Sequence, residues 1–201
     1  MLSKHKDKFR GFEKAVANVF SKLPLSPNVW TLLSLVTAII SVYFISTNNL
    51  LIAAIILLIT AFVDVIDGAV ARATGRATKF GAYLDTVVDR YVEGLIILSL
   101  LLVALPVFLI PASIWIGLYL FGSLMTTYVK AAAKEQEIVR SELRGGLLER
   151  AERLLILFVG LVLGSLNAFW LTYVLVVLAV LTNLTALQKA MTALGAAKRS
   201  V

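Results

Sequence analysis

The sequence predicts an all-α integral membrane protein, a bundle of six transmembrane helices preceded by an amphipathic helix at the membrane interface. Two observations predict this class. Hydrophobic residues make up 60% of the 201 residues and the mean hydropathy is +0.92, well above the values of soluble domains. Six apolar segments also follow one another with short connections, and the length suits a single domain because each span needs about 20 residues.

Residues 10–23 have the pattern of an amphipathic helix lying on the membrane. The apolar side chains on its predicted face are Phe12, Val16, Val19, Phe20 and Leu23. Pro24 and Pro27 then interrupt the chain, and Ser26 is the predicted N-cap of the next helix, with Pro27 at its first position. We therefore expect residues 1–27 to form an N-terminal interfacial segment and residues 28–201 to form the six-helix domain.

The six apolar segments are predicted spans. They lie at about 28–47, 51–74, 80–105, 108–136, 147–165 and 168–194. The first, third and fifth connections are short and uncharged, whereas those at 75–79 and 137–146 are charged. The positive-inside rule places the charged connections and both termini in the cytoplasm, which requires an even number of spans. The sequence thus predicts a multi-pass protein of the cell membrane.

Several functional classes are excluded or disfavoured by composition. The chain has no cysteine and a single histidine, His5, in a charged N-terminal stretch. Disulfides, thiol nucleophiles, serine–histidine triads and zinc sites are therefore not expected. The net charge is +7, but the basic residues flank the spans and form no single soluble face, so we expect no nucleic-acid partner.

Four aspartates lie within 26 residues of this apolar chain: Asp64, Asp67, Asp85 and Asp89. Asp64 and Asp67 share a helical face with Arg72, and the later pair are spaced by four residues, with Glu93 continuing the face. Because the link between the two helices is short, the helices are predicted to be antiparallel neighbours whose carboxylates face each other. Such a group repels itself unless a divalent cation is bound, and carboxylates with substrate phosphates favour Mg²⁺, with Mn²⁺ as a substitute.

Two other interpretations of these aspartates remain open from the residues alone. They could form interhelical ion pairs that only set packing, or they could belong to a cation transporter or proton relay. Against a transporter, the carboxylates are predicted at the cytoplasmic helix ends, and the outer half of the bundle offers few polar residues to continue a path.

The pattern D-x2-D-G-x2-A-R-x8-G-x3-D-x3-D resembles the signature of the CDP-alcohol phosphotransferase family. All eight fixed positions match: Asp64, Asp67, Gly68, Ala71, Arg72, Gly81, Asp85 and Asp89. The resemblance extends to the six-helix layout and the preceding amphipathic helix. It implies an enzyme that moves a phosphatidyl-type group from a CDP-linked lipid to an alcohol and releases CMP.

By position, the resemblance also implies roles for individual residues. Asp64 and Asp85 would bridge two Mg²⁺ ions, Asp67 and Asp89 would each complete one metal site, and Asp89 would be the general base. The implied contacts to the CDP-lipid are Asn28, Val29, Trp30, Thr31, Gly68, Arg72 and Thr78. Without the family resemblance, Asn28 and Thr78 would be interpreted as cap and loop residues, and Trp30 as an aromatic anchor at the membrane interface. A homodimer is expected from the resemblance alone.

A second basic cluster at the ends of the fourth and fifth segments predicts an anionic acceptor. Lys130, Arg150 and Arg153 are the predicted ligands of its phosphate, since both arginines lie near a helix N-terminus. Positive-inside anchoring with helix ion pairs is the alternative interpretation. This stretch looks like the branch of phosphatidylinositol phosphate and archaetidylinositol phosphate synthases, although Ala132 stands where that branch usually has a basic residue that Arg140 or Arg144 could replace.

The predicted reaction therefore transfers the phosphatidyl-type group of CDP-diacylglycerol or CDP-archaeol, both membrane lipids, to inositol 1-phosphate and releases CMP, at a site on the cytoplasmic side. Glycerol 3-phosphate, which is also anionic, is the alternative acceptor.

Overall fold

The computed structural model describes residue 11 and residues 15–139 and 146–200, with side chains as far as residue 198. Within these ranges it contains six long helices and no strand, which confirms the all-α prediction. The helices are α1 (Pro27–Ser46), α2 (Leu50–Ala73), α3 (Lys79–Ser99), α4 (Ala112–Glu135), α5 (Arg150–Leu166) and α6 (Ala168–Ser200), and a 3₁₀ turn at Leu100–Leu102 extends α3.

Four of these helices, α1, α2, α4 and α6, are long and apolar enough to cross a membrane. The other two are less apolar or shorter: α3 carries several charged residues, and α5 has 17 residues. The structure thus supports four spans by length and composition, and six spans stay a prediction.

The helix ends follow the sequence closely except around the two prolines of the third connection. Ser26 precedes α1 as the N-cap with Pro27 in the first turn, although the serine side chain makes no capping hydrogen bond. The predicted span 80–105 ends as an α-helix at Ser99, and α4 begins at Ala112 instead of residue 108. Phe108 and Ile110 instead form an isolated bridge, because the chain turns back on itself before Pro111.

The bundle packs α1 against α2 and α3, α4 along α6, and α5 against α2 and α6. Glycine permits the closest approach between helices. A Cβ atom on Gly122 of α4 would lie 2.6 Å from Thr182 Oγ1 and 2.9 Å from the Asn183 backbone nitrogen of α6. Small residues at helix crossings are typical of membrane bundles, in which close van der Waals contact replaces the hydrophobic effect.

The described part of the N-terminal segment is helical at residues 15–20. Val16 and Ala17 are buried in an apolar cluster with Trp30 of α1 and with Ile66, Ala69 and Val70 of α2, and the Phe20 ring meets the Trp30 ring edge-on at 5.4 Å. The predicted helix over 10–23 is therefore observed at residues 11 and 15–20, whereas residues 21–23 form a turn and a bend instead, and residues 10 and 12–14 lie outside the described residues. Part of its apolar face packs on the bundle.

Candidate active site

The site lies where α2 ends and α3 begins. Asp64 and Asp67 occupy the last turns of α2, and Gly75, with φ of +65°, lets the chain turn towards α3. Thr78 caps α3, since its Oγ1 accepts a hydrogen bond from the Gly81 backbone N–H at 3.0 Å. This cap fixes the first turns of α3, from which Asp85 points into the site.

The structure brings three of the four predicted carboxylates together. One oxygen from each of Asp64, Asp85 and Asp89 lies within 4.8 Å of the others. Asp67 is not part of this group. It is only 6% exposed, and Oδ2 accepts a hydrogen bond from Thr31 Oγ1 at 2.7 Å. The helical spacing predicted the facing of α2 and α3, but the link between Asp67 and α1 has no sequence signal.

Arg150 of α5 reaches into this group of carboxylates. Its Nη1 donates to Asp64 Oδ2 at 2.9 Å and lies 2.7 Å from Asp89 Oδ1. The second contact lacks hydrogen-bond geometry, so Asp89 Oδ1 is buried without a hydrogen-bond donor. The sequence predicted Arg150 as a ligand of the acceptor's phosphate. In the structure Arg150 also contacts the aspartates, although it lies 86 residues after Asp64 in the chain.

These residues fit a hard divalent cation. Three carboxylates converge, and the buried Asp89 Oδ1 has no hydrogen bond, so an additional positive ligand would satisfy it. Oxygen donors from carboxylates are the ligands that Mg²⁺ and Mn²⁺ accept in proteins.

A cavity of about 180 Å³ adjoins the carboxylates and shares Asp85 with them. Five of the residues predicted to contact the CDP-lipid line it: Asn28, Thr31, Gly68, Arg72 and Thr78. Arg76, which was not among the predicted contacts, also lines this cavity. Two arginines in the lining suit a phosphorylated ligand.

The two motif glycines are explained by what surrounds them. A Cβ on Gly68 would lie 3.2 Å from Arg72 Nη1, so the guanidinium folds over the bare glycine at the cavity wall. A Cβ on Gly81 would lie 3.2 Å from both Asn28 Oδ1 and Thr78 Oγ1. Side chains at these positions would crowd the polar groups that line the cavity.

Val29 and Trp30, the other two predicted contacts, are not among the residues that line this cavity. Val29 is exposed on the bundle surface, whereas Trp30 is 8% exposed and packs against Phe20. The structure therefore places Trp30 in an apolar cluster next to the cavity wall.

The basic cluster meets at Glu149, the N-cap of α5. Lys130 Nζ lies 3.5 Å from Glu149 Oε2, and Lys189 Nζ of α6 lies 3.4 Å from Glu149 Oε1. Partial burial raises the pKa of the Glu149 carboxyl, but the two ammonium groups outweigh this and hold the pKa below its usual value. Lys189 was not among the predicted ligands. A lysine within an otherwise apolar segment was the signal that could have found it.

Arg153, the third predicted ligand of the acceptor's phosphate, is 2% exposed. Its Nε and Nη2 donate to the two oxygens of Glu93 at 2.7 and 3.1 Å. The structure thus places this arginine in a buried forked ion pair between α5 and α3. Ala132 is half-buried on α4, whereas Arg140 and Arg144, its predicted replacements, lie outside the described residues.

Comparison with known proteins matches this geometry to one family. A family model of CDP-alcohol phosphatidyltransferases matches residues 24–185. The archaetidylinositol phosphate synthase of Pyrococcus horikoshii is 32% identical over 165 residues, which are 79% of this chain and 81% of that protein. The phosphatidylinositol phosphate synthase of Corynebacterium glutamicum is 36% identical over 152 residues, 73% of this chain and 67% of that protein.

Solved structures of a similar protein have the same fold as this chain. The phosphatidylinositol phosphate synthase of Mycobacterium tuberculosis with CDP-DAG bound has a TM-score of 0.78 at 27% identity, covering 90% of this chain and 92% of that chain. The same enzyme with manganese and citrate has a TM-score of 0.79 at 27% identity, covering 90% and 88%. These matches support a divalent metal and do not favour the cation transporter that the sequence left open. The chain therefore belongs to the CDP-alcohol phosphatidyltransferase family and is a CDP-alcohol phosphotransferase of phospholipid biosynthesis.

Proposed function

We propose that this enzyme transfers a phosphatidyl-type phosphate, with diacylglycerol or archaeol tails, from a CDP-lipid to inositol 1-phosphate and releases CMP. The observation that carries the proposal is that Asp85 belongs both to this cavity and to the three-carboxylate group, so a ligand in the cavity would lie against the carboxylates. The relatives named for phosphatidyl- and archaetidylinositol phosphate synthesis support the same reaction.

In this proposal the cavity holds the cytidine diphosphate portion of the donor. Arg72, folded over Gly68, donates to the diphosphate, and Asn28, Thr31 and Thr78 supply further polar contacts. Asp64, Asp85 and Asp89 hold the metal, and Asp67 adds its carboxylate from the next turn. Two Mg²⁺ ions, with Mn²⁺ as a substitute, would offset the charge that grows on the leaving phosphate.

Asp89 is the proposed general base. Its carboxylate takes the proton from the attacking hydroxyl of the acceptor, the hydroxyl oxygen forms a bond to the donor's lipid-linked phosphorus, and the bond from that phosphorus to CMP breaks. Its Oδ2 is the proposed proton acceptor, since the nearest guanidinium nitrogen of Arg90 lies 3.7 Å away, beyond hydrogen-bond distance. Arg150, 2.7 Å from Asp89, stabilises the charged form of the base.

The acceptor's phosphate is proposed to bind among Lys130, Arg150 and Arg153. Lys130 and Lys189 share Glu149, whose neighbour in sequence is Arg150, so four cationic side chains lie at the start of α5. This amount of positive charge favours an acceptor that carries its own phosphate. A neutral alcohol would bring no negative charge to this cluster.

The same distribution of charge supports a topology. We propose six spans, with residues 28–201 as the membrane domain, residues 1–27 as the interfacial segment, and the active site on the cytoplasmic side of the cell membrane. Arg72, Lys134 and Lys198 all lie near helix ends that share the site's side of the bundle. A homodimer is proposed from the family resemblance.

The experiment that tests the acceptor is CMP release by the purified protein with CDP-diacylglycerol or CDP-archaeol and Mg²⁺. Inositol 1-phosphate is expected to support release, whereas free inositol and glycerol are not. Release with glycerol 3-phosphate alone would assign the alternative acceptor. A comparison of the two donors at equal concentration decides between ester and ether tails.

Gly81→Val is expected to raise the KM for the CDP-lipid by about tenfold and to leave the KM for the acceptor unchanged. The added side chain would meet Asn28 Oδ1 and Thr78 Oγ1 at the cavity wall, and loss of one or two polar contacts amounts to about 1.4 kcal/mol. Gly94→Val, on the same helix, is the matched control, because a Cβ there would have no neighbour within 4 Å. Equal effects of the two variants would contradict the donor cavity.

Lys130→Gln is expected to raise the KM for the acceptor by about 10- to 100-fold, the effect of losing one charge-assisted hydrogen bond to phosphate. The KM for the CDP-lipid should stay the same. Lys134→Gln, one turn further along α4 on an exposed side chain, is the control. If Lys130→Gln raises only the KM for the CDP-lipid, the assignment of the acceptor pocket is wrong.

A further inference from the structure

The carboxylates of the site are connected to a run of alternating charges that ends in the buried pair of Glu93 and Arg153. From the site outwards the order is Asp64, Arg150, Asp89, Arg90, Glu93 and Arg153, and each neighbouring pair lies within 3.7 Å. Glu93 is 2% exposed and bears the hydrogen bonds of two arginines. The sequence placed Glu93 on the face of Asp85 and Asp89, but the proposed reaction gives it no role.

Arg90 stands between Glu93 and Asp89 and is held nearer to Glu93. Its Nη1 donates to Glu93 Oε2 at 2.8 Å and to Thr127 Oγ1 of α4 at 2.9 Å. Its Nη2 lies 3.7 Å from Asp89 Oδ2, beyond hydrogen-bond distance. Two short contacts therefore hold the guanidinium away from the Asp89 carboxylate.

Without Glu93, Arg90 would have a nearby alternative partner. A partly buried guanidinium that loses its carboxylate is left uncompensated, which is costly where water is scarce. Asp89 is the adjacent residue and has a carboxylate already within 4 Å, so a small rotation of Arg90 would bring the two into contact. Arg150 already lies against Oδ1 of Asp89, so pairing of Oδ2 with Arg90 would leave neither oxygen open to a cation or a proton.

We propose that Glu93 is a positioning residue that holds Arg90 back from Asp89 and so keeps the Asp89 carboxylate available to the divalent metal and the acceptor's hydroxyl. The inference rests on the proposed role of Asp89. Glu93 also forms the forked ion pair with Arg153, which ties α3 to α5. Oε2 of Glu93 accepts from both Arg90 and Arg153, so a substitution of Glu93 affects both ion pairs, and substitutions of Arg90 and Thr127 isolate the interaction that leads to Asp89.

The test measures Mn²⁺ affinity of the purified full-length protein by electron paramagnetic resonance, together with its unfolding temperature. Glu93→Gln keeps the shape and one acceptor oxygen for Arg153, and is expected to weaken Mn²⁺ binding by about tenfold, the usual size of an effect on a residue behind a metal ligand. Adding Arg90→Gln should restore the affinity to within about threefold of wild type. Glu135→Gln, exposed at the end of α4, is the control and should bind Mn²⁺ as wild type does.

Thr127→Val removes the other anchor of Arg90 with little change in volume, and is expected to weaken Mn²⁺ binding by about threefold. This variant decides the question if Glu93→Gln fails to fold. A double variant that binds Mn²⁺ no better than Glu93→Gln would overturn the proposal, since a purely structural Glu93 gains nothing from a second substitution. Unchanged affinity in Thr127→Val and Glu93→Gln would overturn it as well. Wild-type protein that binds no Mn²⁺ would instead overturn the proposed metal site itself.

Discussion

Asp89→Asn is expected to slow CMP release by at least about 10³-fold while the protein remains folded. General-base catalysis alone contributes about 10² to 10⁴-fold, and the same substitution removes a carboxylate from the three that converge in the site. The amide keeps the side-chain volume, and Arg150 keeps its hydrogen bond to Asp64, so the packing of α2, α3 and α5 should persist.

The measurement is single-turnover CMP release at saturating donor and acceptor, with the unfolding temperature as the control for folding. Turnover within about tenfold of wild type would contradict the role of Asp89 as base. A loss of turnover accompanied by a collapse of the unfolding temperature would show instead that the carboxylate serves the fold.

Asp85→Asn is expected to weaken Mn²⁺ binding by about 100-fold and to raise the KM for the CDP-lipid, because this residue alone is shared by the carboxylate group and the cavity. Asp67→Asn should weaken Mn²⁺ binding less, by about tenfold. Asp67 lies outside the group, and its Oδ2 is engaged by Thr31.

Direct Mn²⁺ titration of both variants checks this ranking. Thr31→Val provides a matched variant, since it removes the hydrogen bond to Asp67 while leaving every carboxylate in place. Equal losses in Asp85→Asn and Asp67→Asn would contradict the ranking and would place Asp67 on a par with the three converging aspartates.

Local patterns in the sequence predicted much of this site. Spacing by four residues puts Asp85 and Asp89 on one face of α3, and a short link after α2 brings Asp64 opposite them, so convergence of the three followed from helix geometry. The family resemblance implied that Gly68, Arg72 and Thr78 contact the CDP-lipid, and all three line the observed cavity. Hydropathy predicted six spans, of which four are helices long and apolar enough to cross a membrane.

What the sequence did not predict depends on contacts between distant segments. The partners of Arg150 and Arg153 lie 86 and 60 residues away, and nothing local distinguishes an arginine that meets a substrate from one that meets Asp64 or Glu93. Thr31 and Asp67 come together for the same kind of reason, through the packing of α1 on α2. The charges of the arginines predicted that each would bind an anionic group, but they did not predict which one.

The packing of residues 15–20 makes Trp30 an intrinsic optical probe of the site's surroundings. Trp30 lies in the first turn of α1, covered by Val16 and Phe20, whereas Trp115 and Trp170 lie in the first turns of α4 and α6. The same apolar cluster includes Ile66, on the turn of α2 that carries Asp67. A shift of the Trp30 fluorescence emission to longer wavelength would therefore report that residues 15–20 have separated from α1 and α2 beside the donor cavity. A protein with Trp30 as its one tryptophan would thus signal local opening at the site without an added label.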